Sequence, residues 1–299
     1  MALSDNLRST GGVAFVFQGG GSLTAPQVGM LWAASEAGLM PDLVVGSSAG
    51  ALNAVAFASD PSPDGLDRLE ALWVSLRRRD VAPFSLRTLL AAVTGKGDAL
   101  VADAALRVLL ESVAAARTLS ETSIPAHVVA TELATGQAVV LSDGETVPAL
   151  LASCALPGLY RPVEVGQRLL VDGGVAADVP VLQAEALGAT VTYVLPAAIW
   201  DDTQPPRGPF PQAYHALSQI LDSAARRDMA AAFGPVHTFP APRSRVANVV
   251  DFRDTTRLID EGYRLATDWL AGHMLRAGAD ARTDTAPAEL AAHHVVGAN

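Results

Sequence analysis

The chain has 299 residues, half of them hydrophobic, 5% aromatic and 17% charged, with a formal net charge of −10. That length fits one large α/β domain or two small ones, with a core built mainly from Ala, Val and Leu. The negative balance argues against broad binding to nucleic acid or anionic lipid headgroups; it is compatible with transient contact at a membrane surface through an apolar patch.

Residues 1–10 lack the basic-then-apolar profile of a secretion signal and read as an extension ahead of a single domain over 11–280. Val13 to Phe17 predicts a buried strand. Gly19-Gly20-Gly21 follows, then helical spacing from about Ala25 to Ala37. Leu43 to Val45 is a second strand and Ala49 to Ser59 a helix; the whole run is too short and too polar to span a membrane. Asp60 to Gly65 is a turn cluster. Leu66 to Leu76 has helical spacing, Leu86 to Val93 predicts a short helix ended by Thr94 to Asp98, and Asp103 to Ala116 is helical again. Ala126 to Thr131 and Gln137 to Leu141 read as neighbouring strands across a Thr135-Gly136 turn. A helix begins near Pro148. The lone cysteine, Cys154, forbids an intramolecular disulfide, suits a cytoplasmic protein and reads as a small packed residue.

Leu169 to Val171 is a short strand, Val181 to Leu187 a helix and Thr190 to Leu195 a strand. Asp201 to Pro211 is rich in Pro, Gly and polar residues and reads as a lid-like connection. Helices from about Tyr214 to Phe233 and Thr255 to Leu275 flank a strand at Val236 to Phe239, and 281–299 reads as a flexible tail. The alternation of strands and helices predicts an α/β fold, three-layer α/β/α with a mostly parallel central sheet. Chemistry is then expected at the carboxyl ends of the strands.

Two glycine-rich turns lie at such ends. Gly46-Ser47-Ser48-Ala49-Gly50 stands between an apolar strand and an apolar helix, the context of a nucleophile elbow. Ser48 is the candidate nucleophile, with the following helix aiming its N-terminus at a forming oxyanion. The triple glycine Gly19, Gly20 and Gly21 exposes backbone N–H groups suited to an oxyanion hole, and the N–H of Ala49 adds a donor. A dinucleotide loop would need glycine or alanine where Thr24 stands, and a Walker loop fails because Gly97 follows Lys96.

A serine needs a base. None of the six histidines, at positions 127, 215, 237, 273, 293 and 294, sits in a glycine-rich turn that would aim it at a site. Asp172 does: it ends an apolar strand and is followed by Gly173 and Gly174. Partial burial would raise its proton affinity toward what a base requires.

These elements, in this order, resemble the patatin-like phospholipase family over roughly Val13 to Val194. Supporting pieces are Gln27-Val28-Gly29, Ala130 to Gly136, Ala152 to Gly158, Asp178-Val179-Pro180-Val181 and Leu258 to Tyr263. The resemblance implies a patatin-like fold and a Ser48–Asp172 dyad without histidine, framed by Gly46, Gly50, Gly173 and Gly174. The backbone of Gly19, Gly20 and Gly21 would bind the oxyanion. It implies acyl-ester substrates, either phospholipids or simpler lipid esters, and chemistry that needs no metal and no cofactor.

Two positions depart from the family pattern. Leu23 and Thr24 stand where Arg or Lys and then Gly are usual, and Asp178 stands where Asn is common. Both favour a neutral ester over a phospholipid. The leading expectation is a serine acyl hydrolase of lipid esterase or phospholipase A type. The alternatives are an acyltransferase using the same dyad and a catalytically silent lipid-binding protein. Nothing in the sequence sets an oligomeric state.

Overall fold

Alternate residues along the central strands fall into two separate apolar clusters, and that division defines the architecture. A computed structural model describes residues 12–81, 100–101, 103–200, 208–245 and 248–283. The expected N-terminal extension, the short helix and turn over 86–98, the first part of the lid-like connection and the tail beyond 283 lie outside the described residues.

Strand β1 (Gly12–Phe17) leads through a short 3-10 turn at Gly21–Thr24 into α1 (Pro26–Glu36). Strand β2 (Leu43–Ser47), α2 (Ala49–Ser59), α3 (Pro63–Ser75) and the single turn α4 (Arg78–Val81) follow. Ser62 caps α3 through Gly65 N–H, and Pro63 occupies the first helical position. Next come α5 (Ala104–Val113), β3 (Ala126–Glu132), β4 (Ala138–Leu141) and α6 (Thr146–Ser153). The hairpin of β5 (Val163–Val165) and β6 (Arg168–Val171) precedes α7 (Gly174–Ala177) and α8 (Val181–Ala186). The described chain closes with β7 (Ala189–Leu195), β8 (Ile199–Trp200), α9 (Pro209–Ala231), β9 (Val236–Thr238), β10 (Arg243–Ser244) and α10 (Thr255–Thr283).

The main sheet runs β5-β6-β3-β2-β1-β7-β9, with β4 paired to β3. β1, β2, β3, β7 and β9 are mutually parallel, whereas β4, β5 and β6 pair antiparallel. Phe15, Phe17, Val44, Val128 and Leu195 join one core with α1, α2 and α10. Ala14, Val16, Val45, Val129 and Val194 join the other with α8 and Ala225 of α9. Both faces are therefore covered, as a parallel sheet requires, and the three-layer α/β expectation holds.

Several elements differ from the sequence reading. α9 begins at Pro209, so the last residues of the expected lid-like connection are the first turn of that helix, started by proline rather than broken by it. The last helix continues to Thr283, past the expected stop near Leu275. β5 went unpredicted because Val163–Val165 is only three residues long, too short for its Val-Glu-Val alternation to register. The Asp-Gly-Gly turn runs directly into the single turn α7, since Gly173 and Gly174 adopt helical geometry there.

Candidate active site

Sheet register brings the elbow serine and the strand-end acid together. β2 runs parallel to β3 and pairs as far as Ser47 opposite Val129. β4 occupies the opposite edge of β3 from Val128 to Thr131. β6, which pairs Val171 with Thr131, must therefore lie on the β2 edge. The two strands point at each other head to head, with only Ala130 of β3 between their ends. Ser48 follows one end and Asp172 the other. Their side chains meet, Ser48 Oγ donating to Asp172 Oδ2 at 2.6 Å.

Ser48 has φ 52 and ψ −131, and it is the one non-glycine residue with positive φ among the described residues. Such strain persists only when the surroundings impose it. Gly46 and Gly50 permit it by close approach: a Cβ on Gly50 would stand 2.4 Å from Gln18 O, and one on Gly46 2.5 Å from Ala51 Cα. Ser153, fully buried in the last turn of α6, clamps the elbow. Its Oγ donates to Val129 O at 2.6 Å and accepts Ser48 N–H at 2.9 Å. Sequence reasoning gave Ser153 no role, although it lies in one of the family-like segments.

Asp172 is 4% exposed. Burial pushes its carboxyl up to about 7, against the opposing hydrogen bonds from Ser48 Oγ and Gly174 N–H, and the Asp178 charge raises it further. Gly174 N–H donates to Oδ1 at 2.8 Å, and Thr131 Oγ1 donates to the Asp172 carbonyl at 2.8 Å. The carboxylate is thereby fixed, with one oxygen held by backbone and the other on the serine.

The triple-glycine loop packs against this pair. Gly19 N–H donates to Asp178 O at 3.1 Å, so that donor is committed to the backbone. Gly20 and Gly21 turn with φ 142 and φ 59 and line the cavity beside Ser48 and Ala49. Leu23 and Thr24, the departures from the family pattern, are buried. A neutral network holds the loop from beneath. Gln27 Nε2 donates to Gln18 O and Leu195 O, Asn53 Nδ2 donates to Gln27 Oε1 and Thr24 O, and Trp73 Nε1 donates to Asn53 Oδ1. Every polar tip in that chain is paired, which is what a buried polar network needs to be stabilising.

A cavity opens at Ser48 and Asp172, and its walls are mostly apolar. Leu52, Trp73, Leu76, Leu106, Leu109 and Phe252 are among them. Cys154 lines it too, and burial followed by the Asp172 charge pushes its thiol up, away from reactivity. The described histidines serve elsewhere. His127 bonds Ser142 Oγ, His215 packs edge-on to Trp200, and His237 and His273 pack together beside Trp269. Among the described residues no helix is long and apolar enough to cross a membrane.

These features define an α/β protein with a strained serine elbow facing a buried carboxylate at the mouth of an apolar cavity. The family model described as patatin-like phospholipase matches residues 15–185, more than half of the chain, and the chain belongs to that family. An uncharacterized NTE family protein of Mycobacterium tuberculosis is 30% identical over 183 residues, 61% of this chain and 48% of its own length. Patatin-like phospholipase domain-containing protein 7 of Rattus norvegicus is 25% identical over 193 residues, 64% of this chain and 14% of its own. The chain thus spans about half the length of the mycobacterial relative it matches. The crystal structure of VipD from Legionella pneumophila aligns with a TM-score of 0.43 at 13% identity, covering 87% of this chain and 66% of that one.

Proposed function

We propose that the protein is a serine acyl hydrolase of lipid esters, with Ser48 as nucleophile and Asp172 as general base. The observation that carries the reading is the 2.6 Å bond from the strained Ser48 to the buried Asp172 at the edge of an apolar cavity.

Ser48 Oγ attacks the ester carbonyl and its proton passes to Asp172 Oδ2. The carbonyl oxygen becomes an oxyanion that accepts N–H bonds from Gly20, Gly21 and Ala49, each such donor contributing about 3 kcal/mol to the transition state. Asp172 returns the proton to the leaving alcohol, and the acyl group stays on Ser48. Water then attacks that acyl-enzyme, Asp172 takes the water's proton and passes it back to Ser48, and the acid departs. A carboxylate raised to about 7 suits this work, because a base is most effective when its pKa lies near the operating pH. The acyl chain occupies the cavity lined by Leu52, Trp73 and Phe252. With neutral Leu23 and Thr24 in the oxyanion loop, a neutral ester is preferred to a phospholipid.

Hydrolysis of chromogenic esters of increasing acyl length, by wild type, Ser48→Ala and Asp172→Asn, tests the reading. Activity is expected in the wild type and absent from both folded variants. Activity retained in either variant would overturn the dyad. Product analysis with added glycerol separates hydrolysis from acyl transfer. Failure of an active-serine phosphonate to label the wild type would support a silent lipid-binding protein.

A further inference from the structure

Asp178 stands beside the dyad without a part in the chemistry above. A Cβ on Gly174 would lie 3.1 Å from Asp172 Oδ1 and 3.1 Å from Asp178 Oδ1. The two carboxyl oxygens are therefore no more than about 6 Å apart, within the range where one carboxylate alters its neighbour's proton affinity. A Cβ on Gly19 would lie 2.6 Å from the same Asp178 oxygen and 3.3 Å from Ser48 Cβ. Asp178 Oδ2 accepts Gln18 Nε2 at 2.9 Å, Gln18 Oε1 accepts Ala197 N–H at 3.0 Å, and the Asp178 carbonyl accepts Gly19 N–H. One residue thus bonds the triple-glycine loop and sits beside both the elbow and the base.

Asp178 also lines a second cleft behind the triple-glycine loop. The charged and titratable groups that line this cleft with it come from α9: Asp222, Arg226 and His215. From the loop after β1 the neutral Gln18 side chain bonds the Asp178 carboxylate. From the end of β6 Asp172 faces Asp178 across Gly174. Burial pushes Asp178 up to about 6, the Gln18 bond opposes this, and the Asp222 charge adds to it.

We propose that Asp178 is a positioning residue for the base: its carboxylate, held beside Asp172 across the Gly174 backbone, adds to the electrostatic surroundings of the base, while its bonds to Gln18 and Gly19 tie it to the oxyanion loop. The inference rests on Asp172 being the base.

Asp178→Asn removes the charge and keeps an oxygen acceptor for Gln18. Two pH profiles test it: kcat/KM on a soluble chromogenic ester, and the rate of phosphonate labelling of Ser48. The acid limb of both is expected to move to lower pH by about half a unit or more. The plateau falls a few-fold, because a weaker base accelerates less. An acid limb that stays in place in a variant with wild-type melting behaviour overturns the proposal. If Asp178→Asn does not fold, Asp222→Asn, which lets Asp178 hold its charge to lower pH, must move the limb the opposite way, to higher pH, by a smaller amount, and a limb that is unmoved or moves to lower pH there overturns it equally. Asp172→Asn separates the two levels. Labelling that survives in it sinks the dyad, whereas labelling lost there with no shift in the Asp178 variant sinks this inference alone.

Discussion

Ser153→Ala probes what holds the elbow in its strained form. The substitution removes one hydroxyl that is 0% exposed and serves two partners, Val129 O at 2.6 Å and Ser48 N–H at 2.9 Å. The site is buried, so removal of the hydroxyl leaves both backbone groups without their partner. A buried unsatisfied group costs about 1–3 kcal/mol, which gives an expected loss of about 3 kcal/mol of stability. The residue at stake is Ser48, whose φ of 52 is itself a cost of about 1–3 kcal/mol held in by its surroundings. With its N–H released the elbow relaxes, and the Oγ drifts from Asp172. Misplacement of a nucleophile by about 1 Å lowers the rate by up to about 100-fold.

Urea denaturation of wild type and Ser153→Ala gives the stability term, and steady-state kinetics on one soluble ester gives the other. The expected outcome is a lower midpoint with unchanged slope, together with a fall in kcat of about 10- to 100-fold at nearly constant KM. Stability within about 0.5 kcal/mol of wild type refutes the clamp outright. Lost stability with full kcat refutes the link to the proposed role of Ser48, leaving Ser153 as a packing residue.

Two further expectations concern stability. Asp172 has its carboxyl raised in the fold from 3.8 to about 7, so the folded state binds its proton more tightly than the unfolded chain. Its contribution is full below about pH 4 and is lost as pH rises through about 7, a swing of up to about 4 kcal/mol. Asp172→Asn should therefore gain on wild type in melting temperature between pH 5 and pH 8, and a gap independent of pH would contradict the shift. Gly29→Ala should cost about 3 kcal/mol or more, because its Cβ would meet Ile259 O at 2.1 Å where α1 crosses α10; unchanged thermal unfolding would show that the crossing adjusts freely.

The elbow and the strand-end acid were legible because each is written locally. Leu43 to Phe57 carries the strand, the small-residue turn and the helix in one run, and Leu169 to Gly174 carries an apolar strand ending in an acid and two glycines. The three-layer fold was legible because the apolar strands alternate with helical spacing. What escaped is held by contacts between distant segments. Ser153 looked like any small helical residue until Val129 O and Ser48 N–H were seen on either side of it. Asn53, Gln27 and Trp73 read as scattered polar and aromatic positions, yet they form one paired chain beneath the triple-glycine loop. The triple glycine marked a turn open to close approach but not how its N–H groups divide, since Gly19 is committed to Asp178 O only through tertiary pairing.

The meeting of Ser48 and Asp172 depends on a count of residues in β3. Val129 ends the pairing with β2, Thr131 ends the pairing with β6, and fully buried Ala130 spans the interval. Side chains alternate between faces of a sheet, so a shift of one residue in β6 would carry its final side chain to the opposite face and leave a different residue opposite Ser48. Thr131 guards against that slip. It pairs with Val171 in register while its Oγ1 donates to the carbonyl of Asp172 and accepts Ala176 N–H at 3.1 Å. The costly features, a positive φ at Ser48 and a carboxylate out of water at Asp172, thus sit where two strand ends converge on one well-paired segment. A strained pair in that position is placed by the sheet register and fixed by Ser153 of α6 and Gly174 N–H.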